Sequence, residues 1–287
     1  SRVYSPEDGR QLGLQGMIDD VLRESDRPVN TEGVVSMVDE LTPDNHLAVG
    51  QYISAVEEIK QHSPSRIDEY MAPLAGRHDV PAPVLGITGT GGAGKSSLVD
   101  ELLTRYLNDF GDKTIAVLSV DPTRRKTGGA LLGDRIRMNA LSRKRVFMRS
   151  LGTRSGNSET GESLGECIAV VQAAGFDLIL VETAGIGQGD AAIVPFVDVS
   201  LYVMTAEFGA ASQLEKIEMI DYADVVAINK FDRGGAEDAL RDVQKQFQRN
   251  HQWFDKTMES MPVYGTVASK FNDDGVTALY QGLLESL

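Results

Sequence analysis

The sequence is poor in cysteine, short of positive charge and free of long apolar runs. One of its 287 residues is cysteine, Cys167, which excludes an intrachain disulfide and a thiolate zinc site. Lysine and arginine number 28 against 42 aspartates and glutamates, a formal net charge of −14. Nucleic-acid binding is driven by basic side chains neutralising phosphates, so this balance argues against nucleic acid as a partner. No apolar stretch approaches the ~20 residues of a membrane-spanning helix, and no membrane association is expected. The start, Ser1-Arg2-Val3-Tyr4-Ser5, has neither the apolar core of a signal peptide nor an initiating Met. It reads as a processed end or a piece cut from a longer chain. What remains is an acidic protein suited to a reducing cytoplasm, long enough for one large domain or two modest ones.

Two textures divide the chain. In residues 1–82, Leu12, Leu14, Met17, Ile18, Val21 and Leu22 recur at helical spacing. Gly33–Leu41 is a second amphipathic piece, Leu47, Val49, Ile53, Val56 and Ile59 mark a third, and Arg66–Leu74 a fourth. Gly76–Pro83, with two prolines, reads as a linker. From residue 83 to 287 short apolar strands alternate with helices. Strands are expected at Val84–Thr88, Thr114–Val120, Arg145–Met148, Leu178–Val181, Val199–Thr205, Val225–Ile228 and Val263–Val267. Helices are expected at Lys95–Asn108, Gly161–Ala174, Ser212–Tyr222, Ala236–Asn250 and Ala278–Leu287. Strands without polar alternation are buried on both faces, so the fold class is α/β: a mostly parallel sheet covered by helices, preceded by an N-terminal helical segment.

Gly89-Thr90-Gly91-Gly92-Ala93-Gly94-Lys95-Ser96 fits the phosphate-loop pattern G-x-x-x-x-G-K-[ST]. A strand precedes it and a helix opening Ser97-Leu98-Val99 follows. Backbone N–H groups of Gly91, Gly92, Ala93, Gly94, Lys95, Ser96 and Ser97 can surround phosphate oxygens, because glycine leaves no Cβ to obstruct the approach. Lys95 would reach the β and γ oxygens and the Ser96 hydroxyl would ligate Mg²⁺. Minimal ATPases of the partitioning type carry a second lysine where Thr90 stands, which argues against that branch.

The base is read from Asn229-Lys230-Phe231-Asp232, an N-K-x-D at the end of a buried strand. Guanine offers an N1–H and an exocyclic amine that one carboxylate accepts together, and Asp232 suits that edge. Adenine offers no such pair, and the carboxylate would lie desolvated against it. Asn229 can brace the loop and contact N7, and the Lys230 stem can lie over the base. Thr266-Val267-Ala268-Ser269 leaves a later strand, where Ala268 or Ser269 can present an N–H to the guanine O6.

Carboxylates for the metal are expected at loop ends. Asp121 closes the second strand, Asp134 lies in the glycine-hinged stretch Gly128–Met138, and Glu182 ends a strand in Glu182-Thr183-Ala184-Gly185. Few carboxylates plus water suit Mg²⁺. Gly185 occupies the position from which an N–H senses a γ-phosphate. The next residue, Ile186, stands where small signalling GTPases have a water-orienting glutamine. An apolar side chain cannot orient water, so intrinsic hydrolysis should be slow. Gln188, Gln213, Lys216, Arg124 and Arg125 are the groups available for that task.

Taken in order, T-G-x-x-x-x-G-K-S, then V-D-P-T-x-x-x-T-G-G-x-L-L-G-D-R-x-R-M, then V-E-T-A-G-I-G-Q, then N-K-x-D resembles the GTPase chaperones of acyl-CoA mutases, the methylmalonyl-CoA mutase-associated G proteins. They belong to the signal-recognition-like branch of P-loop GTPases, and the likeness covers about Leu47 to Leu287. It implies a GTP-hydrolysing switch that gates loading and removal of adenosylcobalamin on a mutase. It implies that Lys95 and Ser96 are the phosphate-loop pair, that Asp121, Asp134 and Glu182 serve magnesium, and that Asn229, Lys230 and Asp232 read guanine. Phe208–Lys216 falls where the family has a third mobile switch, matched at Gln213 and Lys216. Free-standing members carry two acidic residues near Ala210-Ala211, so this switch has lost charge.

A subgroup fuses this domain between a cobalamin-binding domain and the mutase barrel, as in fused isobutyryl-CoA mutases. Val3–Gly9 and Leu12–Asp20 look like the tail of such a cobalamin domain and its linker, which favours an excised domain over a free chaperone. The implied partners are the cobalamin-binding and mutase domains, with a nucleotide-dependent G-domain dimer a further expectation. Asp44-Asn45-His46-Leu47-Ala48-Val49-Gly50 approaches the D-x-H-x-x-G cobalamin-ligand pattern, but its glycine is one position late and the stretch reads as helix. His46 is expected on a helix surface, with no cobalamin on this chain. Two other classes fit the residues less well. A nickel metallochaperone GTPase would need a metal-cargo site that four scattered histidines and one cysteine do not supply. A P-loop kinase would leave N-K-x-D unexplained. A nucleotide-bound interaction module with negligible turnover stays open because of Ile186.

Overall fold

Seven apolar runs, rich in valine, leucine and isoleucine, form the strands of one sheet. The computed structural model describes residues 4–25, 29, 31–122, 138–153, 163–183, 185, 190–209, 214 and 217–287. The strands are β1 (Val84–Gly89), β2 (Ile115–Pro122), β3 (Val146–Thr153), β4 (Leu178–Thr183), β5 (Val199–Thr205), β6 (Val225–Asn229) and β7 (Val263–Thr266). Their order is β3-β2-β4-β1-β5-β6-β7, and every neighbouring pair is parallel. All seven strands expected from the sequence are present. Several run further than expected, so Asp121 and Glu182 lie in the last residues of β2 and β4 and not in the loops beyond.

Helices cover both faces. The helices with described bounds are α1 (Pro6–Ser25), α2 (His46–His62), α3 (Ile67–Met71), α4 (Lys95–Asp109), α5 (Leu164–Ala173), α6 (Ala236–Asn250) and α7 (Asp274–Ser286), of which α1 adds nothing to the core clusters. Alternation along β2 sends Ile115 and Val117 to the face under α4 and α7. Ala116, Leu118 and Val120 face the cluster formed with α2 and α5. No helix among the described residues is long and apolar enough to cross a membrane.

Residues 34–74 belong to this core. Val49, Tyr52, Ile53 and Val56 of α2 are fully buried in one cluster with Leu118, Phe147, Ile179 and Val181 of the sheet. Arg149 of β3 pairs with Glu57 at 2.8 Å, and Lys60 pairs with Glu166 of α5. Even the proline-rich stretch before β1 is tied down: Arg77 Nε donates to the Ala173 carbonyl at 3.1 Å, and the His78 ring lies 3.2 Å from the same oxygen. A basic group there complements the carbonyl end of α5. By contrast, α1 keeps Leu12, Leu14, Ile18, Val21 and Leu22 exposed, and it is broken at Gly13 (φ 64°, ψ 175°).

Three local expectations are corrected. His46 is half-buried at the start of α2, its ring edge-on to Phe147 at 5.5 Å, because α2 packs on β3 there. Over Ser212–Tyr222, expected as one helix, Leu214 is helical as expected, but the stretch ends in a 3-10 turn at Glu218–Asp221 that buries Met219 and Ile220. The last helix starts at Asp274, four residues early, because the Asp273 side chain caps it by accepting the Val276 N–H.

Cys167 is buried in α5, and burial, with Glu57 nearby, pushes its thiol up to about 12. The thiolate is the reactive form, so iodoacetamide should label Cys167 only after unfolding. Mass-spectrometric labelling of the native chain within minutes at neutral pH would contradict this burial.

Candidate nucleotide-binding site

The parallel sheet delivers the C-terminal ends of its strands to one edge, the usual ligand-binding edge of such sheets. At its centre β1 ends in Gly89, and the Thr90 N–H donates to the Val203 carbonyl of β5 at 3.1 Å. The loop closes on itself through the Ala93 N–H and the Thr90 carbonyl, 3.2 Å apart. Gly94 then caps α4 with φ 89°, and a Cβ there would lie 2.6 Å from Asn229 Nδ2. Glycine is thus required at Gly94 for both backbone hand and space. Gly91, Gly92 and Ser97 are exposed, whereas Ala93 is buried. Lys95 is 7 % exposed, its ammonium donating to the carbonyls of Gly89 at 2.9 Å and Thr90 at 3.1 Å. Those bonds park the positive charge inside the loop at the N-terminus of α4, where backbone N–H groups favour an anion.

Beside the loop, Glu182 is 5 % exposed and its Oε1 accepts the Ser96 hydroxyl at 2.7 Å. The β4 register sets Glu182 between Ile87 of β1 and Ser119 of β2, and Thr183 donates to Thr88 at 2.8 Å behind it. Gly185 (φ 66°) follows so closely that a Cβ there would strike the Gly89 carbonyl and Lys95 Nζ. The structure therefore brings Lys95, Ser96, Glu182 and Gly185 together. Asp121 is described through its backbone, which pairs with Gly152 of β3; its side chain lies outside the described residues. So do Asp134, Gln188, Lys216, Ile186, Gln213, Arg124 and Arg125.

Two strands away, Asn229 is 3 % exposed at the end of β6. Its Nδ2 donates to the Ala93 carbonyl at 2.8 Å, and its Oδ1 accepts Thr266 Oγ1 at 3.2 Å and the Ala268 N–H at 3.1 Å. One amide thereby joins the phosphate loop to the loop after β7. Lys230 turns left-handed (φ 58°) and reaches back to the Gly92 carbonyl at 2.7 Å, while Asp232 is exposed just beyond. Of the two residues expected to offer an N–H to a base, Ala268 has spent its own on Asn229. Ser269 keeps its N–H free of acceptors among the described residues. The reach of Asn229 to Ala93 spans 136 positions, so only its placement after a strand was legible beforehand.

Asn229→Ala should be costly. It leaves the Ala93 carbonyl and the Ala268 N–H buried without partners, at about 1–3 kcal/mol each. Chemical denaturation should show a loss of about 2–4 kcal/mol with an unchanged m-value. A loss below about 1 kcal/mol would mean that the clamp is not made in solution.

A phosphate loop between the central strand and its helix, with a buried carboxylate on the loop serine, defines a P-loop nucleotide-binding protein. Within that class the chain belongs to the family described as methylmalonyl Co-A mutase-associated GTPase MeaB, whose profile matches residues 49–285. It is similar to the fused isobutyryl-CoA mutase of Cupriavidus metallidurans, 57% identical over 289 residues, covering 100% of this chain and 26% of that protein. The fused isobutyryl-CoA mutase of Geobacillus kaustophilus is 54% identical over 290 residues, covering 100% and 27%. The chain thus spans about a quarter of the length of these relatives. A putative GTPase of Pyrococcus horikoshii is 32% identical over 250 residues, with 87% of this chain and 76% of that protein covered. Among solved structures, a LAO/AO transport system kinase shares the fold, with TM-score 0.62 at 20% identity over 91% of this chain and 76% of that one.

Proposed function

We propose that this chain is a Mg²⁺-dependent switch that binds and slowly hydrolyses GTP, and that its nucleotide state gates adenosylcobalamin loading and removal on an acyl-CoA mutase. The observation that carries the reading is the Asn229 clamp, which ties the phosphate loop at Ala93 to the strand end bearing Asp232. Phosphate and guanine recognition would then share one rigid edge. The partners are the cobalamin-binding and mutase domains of a longer polypeptide in the cytoplasm. Supporting this, fused isobutyryl-CoA mutases carry a segment like this chain as about a quarter of their length. Residues 83–287 would be the G domain and residues 1–82 a helical segment linking it to the cobalamin-binding domain.

Magnesium fits the donor set. Ser96 Oγ and the Glu182 carboxylate, already 2.7 Å apart, are hard oxygens, as Mg²⁺ prefers, and phosphates and water supply the remaining ligands. Asp121 and Asp134 would complete the set. Bound there, the ion would neutralise charge on the β and γ oxygens. Lys95 would leave its carbonyl partners for the same oxygens, and the N–H groups of residues 91–97 would hold the phosphates in place. The Gly185 N–H would register the γ-phosphate. Water attacks the γ-phosphorus, the bond to the bridging β oxygen breaks, and GDP and phosphate leave. Gln188 and Lys216 are our choices for orienting the water that Ile186 cannot orient.

Titration with GTP, GDP and ATP in the presence of Mg²⁺, followed by phosphate release, tests the reading. GTP and GDP should bind at least tenfold tighter than ATP, with turnover well below one per second. Equal affinity for ATP and GTP would sink the guanine assignment. Tight binding without phosphate release would leave a nucleotide-bound interaction module.

A further inference from the structure

Asp273 performs two tasks with one oxygen. Its Oδ2 accepts the Val276 N–H at 3.0 Å, capping α7, and the Val267 N–H at 3.1 Å in the loop after β7. The residue is 7 % exposed. The same loop is held by the Ala268 N–H on Asn229 and by the Lys270 N–H on the Val267 carbonyl at 2.9 Å. The N–H of Ser269 is thereby bracketed by three fixed neighbours.

The anchor is itself held. Arg105 of α4, the helix that opens with Lys95 and Ser96, donates to Thr277 Oγ1 at 2.8 Å and to the Asp273 carbonyl at 3.4 Å. Thr277 Oγ1 donates in turn to the Asp273 carbonyl at 3.0 Å. The first turn of α7 is also seated hard on β7, since a Cβ on Gly275 would collide with the Gly265 carbonyl.

We infer that Asp273 is a positioning residue for the subsite that reads the six-position of the purine, acting through the backbone of Val267–Ser269. The inference rests on the guanine reading above. A fixed N–H donates to a purine O6 and opposes the amine that adenine carries there; a loop free to turn tolerates both. Hypoxanthine shares O6 with guanine, so GTP and ITP should respond alike. Inorganic triphosphate never touches this loop.

Calorimetric titration of the full chain with GTP, ITP, ATP and inorganic triphosphate, each with Mg²⁺, tests the assignment in three variants. Asp273→Ser keeps a helix cap, but its hydroxyl is one bond too short to serve Val267 as well. It should weaken GTP and ITP about tenfold together, leave inorganic triphosphate unchanged and lower the GTP-to-ATP affinity ratio. Asp273→Ala should do the same with lower thermal stability. Asp273→Asn places an amide oxygen at the Oδ2 position and should bind all four ligands as the unaltered chain does.

Equal weakening of GTP and inorganic triphosphate in Asp273→Ser would make the role merely structural and overturn the inference. So would an unchanged GTP-to-ATP ratio, or an Asp273→Asn variant as impaired as Asp273→Ser. Failure of the unaltered chain to prefer GTP over ATP would remove the guanine reading and this inference together. A normal preference in that chain, unmoved by Asp273→Ser, would remove this inference alone.

Discussion

Asp232→Asn should move base preference from guanine to xanthine. A carboxylate accepts two hydrogens from the guanine edge, and a hydrogen bond to a charged group is worth about 1.5–3 kcal/mol. Losing that complementarity should weaken GTP roughly a hundredfold or more. Xanthine carries an oxygen where guanine has its amine, and an asparagine amide donates to it, so XTP should gain by a similar factor. Asp232 is exposed, so the substitution should leave folding intact. Competition of GTP and XTP for a fluorescent nucleotide reads the exchange directly. Loss of GTP binding without a gain for XTP would put Asp232 outside the base site.

Lys95→Met should remove triphosphate binding while sparing the fold. The ammonium is buried against the carbonyls of Gly89 and Thr90, and the methionine stem fills most of that space. What disappears is the one cation built into the phosphate loop itself. The expected loss in GTP affinity is roughly a hundredfold, about 2–3 kcal/mol, and phosphate release should become undetectable. Guanosine, which has no phosphate, should bind the variant and the unaltered chain equally. If guanosine weakens in parallel with GTP, the loop has collapsed and the charge is not the cause.

These effects lie on residues readable in advance because their chemistry is local. Eight consecutive positions, Gly89 to Ser96, encode the loop through glycine's backbone freedom and a lysine–serine pair. Asn229 to Asp232, proposed above as the base reader, are four residues after an apolar run. Unbroken valine, leucine and isoleucine announced a sheet buried on both faces, and all seven strands followed. Less was legible where a side chain's role depends on a distant partner. Nothing near Asn45 to His62 declares that α2 seals one face of the sheet, since amphipathic spacing names a face and not its neighbour. The pattern likewise put His46 on a surface, whereas Phe147, a hundred positions later, half-covers it.

By itself, then, the sequence determined the phosphate loop, the N-K-x-D motif proposed to read guanine, the parallel sheet and the family resemblance, because each rests on short-range periodicity or contiguous motifs. Only the tertiary structure decided that Glu182 meets Ser96, that Asn229 locks Ala93 to Ala268, and that Asp273 pins the loop after β7. The reason is physical. Strand order β3-β2-β4-β1-β5-β6-β7 brings chain-distant ends to one edge, and hydrogen bonds made there belong to the register of the sheet, which no local pattern spells out.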